Sequence, residues 1–520
     1  MNKIYFSLML IGALTFSSCS MDKAPYGSLD DKTAIEKAQD LRQFRNALYS
    51  GMRAVTSGGW LYDSDIQMDE FHGLISNGNQ IGNFSNGLIN ASDVDIKNFW
   101  ASSYALIATC NGVIEHADEM MGMEKYSDSE KSDFARYKAE AQFVRAYMYF
   151  WLADHFCQSY TRCEPSKPAS GMPLVTHYNP TGNLSDYPSR STLDETYTLI
   201  DTDLQAAYDG LKLYESNHAN VASDEMVKAN AAYISSYAVK AMQARVALVK
   251  GDWQTAATSA EDVISSGRYK LTTTKDYSKL WTNDEGNEVI FRPIMTATEL
   301  GSSNGAPYVS ESETKASYIP TYGILSIFWD VEGAVSHEGD VRADVFLKFY
   351  DNLQVEGSSY EAYVLSKFNG NSNLRVSSSN NLMNMSKPYR LAEMYLIAAE
   401  AETRLGNAEA ANQYFNTFLS NRIVDYRTKT YTSEQLLSAL RNERQLEFIG
   451  EGMRMSDIRR YGIGFKREAH HEESPSLDNI IVKSGSDLEY VADDYRLTWP
   501  IPKEEIDSNP KLASEQNPGY

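Results

Sequence analysis

The sequence predicts a mainly α protein, a tetratricopeptide-like scaffold of about four helix pairs carrying a loop-rich, partly β variable region. Three observations predict it. Apolar residues recur at helical spacing over most of the 520 residues. Two distant segments repeat one helix-turn-helix pattern. Between them, over 271–384, Gly, Ser and Asn rise and short alternating runs replace the helical period.

The chain opens with an apolar run, Ile4 to Phe16, behind one basic residue, Lys3. A spanning helix needs roughly 20 apolar residues. This run is shorter and reads as the core of a secretory signal. Ser17, Ser18 and Cys19 follow in the pattern of a bacterial lipoprotein cleavage site, with Phe16 where leucine is usual. Residues 1–18 are the expected signal peptide and Cys19 the expected lipidated N-terminus. Residues 20–31 would then be a tether. Stable anchoring takes more than one acyl chain.

Residues 33–55 read as a helix, with Leu41, Phe44, Leu48 and Met52 on one face. Residues 57–92 are punctuated by Gly, Ser and Asn and read as a long irregular excursion. Helices are expected at 94–121 and 129–156, the latter with Phe143, Tyr147, Phe150 and Trp151 on a broad face. Pro165, Pro168 and Pro173 close that block. Segment 156–172 makes a long loop. Helix returns at 191–213 and 228–266, and again at 388–424 and 432–462. The proline-rich tail reads as extended. The expected division is one domain, 19–520, with its scaffold mainly in 33–270 and 385–520 and the variable insertion at 271–384.

The repeated pattern lies in AVKAMQARVALVKGDWQTAATSAEDVI and LIAAEAETRLGNAEAANQYFNTFL. Aligning Gly251 with Gly406 matches Asp252 with Asn407, Ala256 with Ala411 and Ala244 with Ala399. Small residues let two helices approach, and glycine suits the turn. That is the logic of a tetratricopeptide hairpin. The other expected pairs are 33–55 with 94–121 and 129–156 with 191–213.

The formal net charge of -22 repels phosphate backbones and argues against nucleic-acid binding. Of the four cysteines, Cys110 lies on an apolar helical face and reads as a buried thiol. Cys157 and Cys163 flank a short segment and could close a disulfide if the chain turns back there.

Motifs for chemistry are weak. GSSNG at 301–305 fits G-x-S-x-G, but Ala306-Pro307-Tyr308 opens no helix behind it, so a loop is the better reading. His470, His471, Glu472 and Glu473 lack H-E-x-x-H spacing, so no metal site is assigned. Asp63, Asp65, Asp69 and Glu70 cluster in the first excursion. They suit hydrogen bonding or a structural calcium ion, and plain solvation is the simpler reading. Glu443, Glu447, Arg454 and Asp457 sit at helical spacings that make local ion pairs and caps.

Loop aromatics are the sharper signal. Trp60 and Tyr62 lie in the first excursion, Tyr308 and Tyr318 in the second. A flat ring stacks on the apolar face of a sugar, and Asp69 could bind hydroxyls. These five are the candidate ligand residues. Trp281 and Trp329 read as core.

Several stretches together resemble the SusD/RagB-like nutrient-binding lipoproteins of bacterial outer membranes. They are AEAQFVRAYMYFWLADHF, KAMQARVALVKGDWQTAA, EGDVRADVF with Asp340 and Arg342, YRLAEMYLIAAEAETRLGN, LRNERQLEFIGEGMRMSDIRRYG and WPIPKEEIDSNPKLASEQNPGY. They follow the family's order over nearly the whole chain. The resemblance implies four tetratricopeptide-like pairs with a variable region packed on them. It implies a lipid-anchored place on the outer face of the outer membrane. It also implies a SusC-like TonB-dependent transporter as partner and a captured glycan as cargo, without catalysis. Alternatives are a binder of peptide or another nutrient in the same kind of complex, or a helical-repeat scaffold that grips proteins only.

Overall fold

The computed structural model describes residues 34–77, 81–329, 334–467 and 476–520. Cys19 and the segment with His470 and His471 lie outside the described residues.

The first half runs α1 (Ala38–Val55), α2 (Gly59–Gln67), β1 (Phe71–Gly73), α3 (Gly82–Ser85), α4 (Val94–Met121), α5 (Asp128–Phe156), α6 (Leu193–Asn217), α7 (Ala219–Val221), α8 (Ser236–Lys250) and α9 (Trp253–Ser265). The variable region holds α10 (Tyr277–Thr282), β2 (Val289–Phe291), β3 (Tyr318–Pro320), α11 (Tyr322–Trp329), α12 (Val341–Phe346), β4 (Leu347–Val355) and β5 (Ser358–Leu365). The rest comprises β6 (Tyr389–Arg390), α13 (Leu391–Leu405), α14 (Ala408–Ser420), α15 (Ser433–Phe448), α16 (Arg454–Tyr461), β7 (Phe465–Lys466), α17 (Lys483–Ser486), β8 (Glu489–Tyr490) and α18 (Lys503–Ser508).

The long helices start where local chemistry starts them. Capping boxes open α5 (Ser127 with Glu130), α6 (Thr192 with Glu195) and α15 (Thr432 with Gln435). Each satisfies amides that the first turn leaves without partners.

Four helix pairs form: α1 with α4, α5 with α6, α8 with α9 and α13 with α14. Helix α4 lies on α5, α6 on α8, and α9 on α13, so the pairs stack into one array. The two aligned hairpins share their turn. Gly251 and Gly406 end α8 and α13 at φ +72° and +86°, in the left-handed region that other residues resist. Ala244, Ala256, Ala399 and Ala411 are all fully buried between helices. The copies differ one residue on. Asp252 caps α9 through the Thr255 amide (3.1 Å), whereas Asn407 turns back to Glu402 (2.6 Å).

The first excursion is more ordered than its composition suggests. It folds into α2, β1 and α3, and β1 pairs antiparallel with β3 of the variable region. Likewise β2 pairs with β6. Backbone ladders therefore stitch the insertion to the scaffold on both sides.

Buried ions make the same junction. Arg342 of α12 meets Glu443 of α15 at 2.6 Å. Arg390 and Arg422 both hold Glu447, at 2.6 and 3.0 Å, and both reach Glu288. Glu443 and Glu447 therefore pair with residues far along the chain, not with neighbours on their own helix. Burial opposes the ionisation of Glu443, but Arg342 and His337 outweigh it and hold the carboxyl at about 2. Such a network specifies one docking geometry, because breaking any single partner strands a buried charge.

The extended tail is partly helical, with α18 and a 3-10 turn at Pro510–Ser514. It straps the end of the array. Trp499 is buried, stacks on Phe99 and donates its indole N–H to Gln67 (2.8 Å). The loop after α5 packs toward this tail, with Arg162 paired to Asp493.

Cys157 and Cys163 are both free thiols, so the bridge allowed by their spacing is absent. Cys157 ends α5 buried, its sulfur 3.7 Å from Arg190. Cys163 follows the short turn Tyr160–Arg162, which carries it onward instead of back. Cys110 is a buried thiol.

Candidate functional site

The residues singled out in the sequence do not assemble into one exposed surface. Trp60 and Tyr62 belong to helix α2, not to an irregular loop, and both are half-buried. The Trp60 ring sits 4.4 Å from Trp151 and 4.9 Å from Phe99, so it pins α2 onto α5 and α4. Tyr62 meets Tyr308 edge-on at 6.4 Å. Burial, with the Asp63 charge beside it, pushes the Tyr62 hydroxyl up to about 12.

Tyr308 and Tyr318 are corrections. Both are fully buried. Tyr308 packs on Phe71 at 4.7 Å, and Tyr318 lies in β3 opposite Gly73. Their rings hold the insertion against the first excursion, which is where large apolar area stabilises most. Asp69 is also engaged, in an ion pair with Arg454.

The remaining acids of that excursion face inward. Asp63, Asp65 and Glu70 are buried. Asp65 accepts from the amides of Gly452 (2.8 Å) and Arg454 (3.2 Å). Burial lifts its carboxyl to about 7 against those hydrogen bonds. Among the described residues no group of His, Cys, Asp and Glu is set to hold a metal ion. The GSSNG segment is a loop. Ser303 donates to the Leu382 carbonyl (2.8 Å), and Asn304 accepts from the Gly58 amide (2.9 Å).

A recess of about 950 Å³, counting the part open to solvent, lies between α2, α5, α8, α16 and the segment before β6. Trp60, Trp151 and His155 line it. Its cations are already held, Arg245 by Glu393 (2.6 Å), Arg460 by Glu400 (2.6 Å) and Lys387 by Asp284 (2.7 Å).

The exposed rings lie elsewhere, and sequence reasoning missed them. The β4–β5 hairpin closes through Glu356 and Gly357 at φ +48° and +83°, a two-residue turn whose twist matches the strands. Its inner face buries Tyr350, Leu353, Val355, Ala362 and Val364 against Leu74, Val309, Ile319 and Ile481. Alternation then puts Phe349 and Tyr363 outside, directly opposite each other in the register. They are 48% and 36% exposed, with centroids 5.1 Å apart.

Trp329 completes the group. The apolar helical run ILSIFW assigns it to the core. Yet the small core of Leu325, Phe328, Leu347 and Leu446 closes without it among the described residues. Its ring is 45% exposed and packs on Tyr363 at 4.9 Å. Tyr363 is tilted 54° from Trp329 and 61° from Phe349. The three faces thus form a bent arc instead of a flat shelf. Trp329 also lines a groove with Glu338 and Asp344.

A signal for one of these rings was present. In SSYEAYVL, Tyr363 has the parity opposite to Ala362 and Val364, which is the solvent face of a half-buried hairpin. In LKFYDNLQV the irregularity between Tyr350 and Leu353 switches the parity, so Phe349 reads in step with Leu353 and Val355 although it faces out.

Comparison with known proteins agrees with this fold. Residues 268–520 match the model described as SusD family, and residues 21–247 match one described as starch-binding associating with outer membrane. A SusD-like protein, P25, of Formosa agariphila is 22% identical, with 96% of each chain covered. A putative sugar binding protein from Bacteroides vulgatus superposes with a TM-score of 0.75 at 24% identity, covering 94% of this chain and all of its own. Surface glycan-binding protein A from Bacteroides fluxus superposes at 0.67 and 18% identity, covering 94% of this chain and all of its own. The two matches, separated by residues 248–267, together span nearly the entire chain in one order, on the stacked helix pairs described above. The chain belongs to the SusD/RagB-like family.

Proposed function

We propose that this protein captures a complex glycan at the cell surface, without cleaving it, on the arc formed by Trp329, Tyr363 and Phe349. It is a lipoprotein of the outer membrane in this reading. Its signal peptide is residues 1–18, Cys19 carries the lipid, and residues 19–520 form the binding domain. It delivers the glycan to a SusC-like TonB-dependent transporter.

The observation that carries the reading is two exposed rings, Phe349 and Tyr363, in contact on a hairpin whose other face is core, with the exposed Trp329 ring of α11 packed on Tyr363. A monomeric soluble protein rarely spends that much apolar surface on water without a use. Rings with two rotatable angles offer contact area at low entropic cost. Support also comes from relatives described as sugar- or glycan-binding and from a family description that joins starch binding to the outer membrane.

The test is affinity electrophoresis and calorimetry against a panel of soluble polysaccharides, with Trp329→Ala and Tyr363→Ala beside the parent chain. The parent should bind at least one glycan and release no product. Each substitution should weaken binding by about tenfold or more, equivalent to ~1.4 kcal/mol, with unchanged circular dichroism. Undiminished binding by both variants would refute the assignment of the site. Retention of peptides but no glycan would favour the nutrient-binding alternative.

A further inference from the structure

The outer face of the hairpin carries more than rings. Side chains alternate along a strand, so Asp351 follows Phe349 and Glu361 precedes Tyr363 on the same face. The register irregularity between Tyr350 and Leu353 brings Asp351 and Asn352 together against Glu361. Both carboxylates are exposed, and neither has an ion-pair partner among the described residues. Glu338 and Asp344 line a groove with Trp329, and both are exposed.

No free cation balances them on these strands. Lys348 is the basic residue of the hairpin strands. It has the opposite parity, and its ammonium already holds Glu313 at 2.6 Å. Toward the turn the face becomes neutral and polar. Ser359 donates to Asn352 (2.8 Å), and Gln354 donates to Ser359 (2.7 Å). Amides and a hydroxyl of that kind both give and accept hydrogen bonds, as sugar hydroxyls do.

A glycan stacked on Phe349 and Tyr363 passes one residue step from Asp351 and Glu361. Same-face neighbours on a strand stand about 7 Å apart, inside the screening length of about 8 Å at physiological salt. An anionic group there meets the like charges of Asp351 and Glu361 and finds no arginine or lysine on the outer face of these two strands to offset them. Like-charge juxtaposition of this sort suppresses wrong partners more than it strengthens right ones.

We propose that this face selects uncharged glycans, and that Asp351 and Glu361 reject sulfated and uronate chains. The inference rests on the glycan-binding reading of the ring arc and adds its substrate class.

The experiment uses paired probes, each a neutral polysaccharide (pullulan, laminarin, galactomannan, xyloglucan) and its chemically sulfated derivative, with the parent chain at low salt. The neutral member of at least one pair should bind, and its sulfated partner should bind about tenfold more weakly or worse. That gap should narrow as salt rises. The double variant Asp351→Lys with Glu361→Lys should recover sulfated binding about tenfold, while neutral binding stays within about threefold. A remote reversal of the same size, Glu409→Lys with Glu434→Lys, should do neither. Sulfated chains binding as tightly as neutral ones, or discrimination surviving the hairpin reversal, overturns the inference and leaves the ring arc standing. Binding to no member of any pair, or neutral binding that Trp329→Ala leaves intact, overturns the reading of the arc itself.

Discussion

Arg454 and Asp69 meet in a two-pronged ion pair, Nε on Oδ1 and Nη2 on Oδ2, both at 2.7 Å. The pair joins the turn between α2 and β1 to the start of α16, and both side chains are largely withdrawn from water.

Asp69→Ala should therefore act on stability and not on ligand. Removing one partner leaves the guanidinium buried and unpaired, which costs about 3–5 kcal/mol for a fully buried pair and somewhat less here. Urea unfolding should register that loss, while glycan affinity at low denaturant stays within a factor of about two.

Trp60→Ala should separate from Trp329→Ala in the same way. The Trp60 ring fills space against Phe99 and Trp151, so truncation opens a void. A loss of about 2–3 kcal/mol is expected for a half-buried tryptophan. Calorimetric unfolding should show this loss with the glycan signal retained. Trp329→Ala should show the converse pattern.

Stability should pass through a maximum in mildly acid solution. Glu443 titrates at about 2 in the folded chain against an ordinary 4.5. Its stabilisation is present above 4.5 and is lost as pH falls toward 2. Glu447, depressed further by Arg422 and Arg390 against burial, acts in the same sense. Asp65 has the opposite sign. Its folded value of about 7 lies above the ordinary 3.8, so the folded chain holds a proton that the unfolded chain has released. Stability from this group rises as pH falls from about 7 to about 4. Denaturant midpoints measured between pH 3 and pH 8 should trace both limbs (about one transition series per pH unit suffices), and Asp65→Asn should flatten the upper limb. A profile that only climbs with pH would contradict the burial of Asp65.

The thiols give a covalent check. Cys110, Cys157 and Cys163 are free, so alkylation of the unfolded, unreduced chain should label each of them. Reductant should leave the unfolding midpoint unchanged. In the native chain, Cys163 should react ahead of the two buried thiols.

The scaffold was legible because its signals are local. Gly251 and Gly406 marked two turns, and the alanines around them marked where helices touch. Helical spacing set most of the long helices to within about five residues, but the run read from 228 begins only at Ser236, and the run read over 432–462 breaks between Phe448 and Arg454. The ion network was legible as residues but not as partners. Glu443 and Glu447 looked like members of local pairs, and nothing in a linear reading points from them to Arg342 or Arg422. The ring arc failed for a related reason. Trp329 lies on an apolar helical run, and only the packing of Leu325 and Phe328 against Leu347 and Leu446 leaves its ring outside. Tyr308 and Tyr318 have the setting of exposed loop residues, and only the ladder between β1 and β3 encloses them. Exposure is decided by what packs across from a residue, and that is settled by partners distant in sequence.

The two-residue turn of the hairpin makes its outward face replaceable. The inward residues and the backbone ladder hold the strands, while the outward ones contribute little to either. Substitutions at Phe349, Asp351, Glu361 and Tyr363 can therefore accumulate without refolding the chain. On the proposed reading of the ring arc, a lineage could change what it captures by rewriting this strip, keeping the helical frame that carries it.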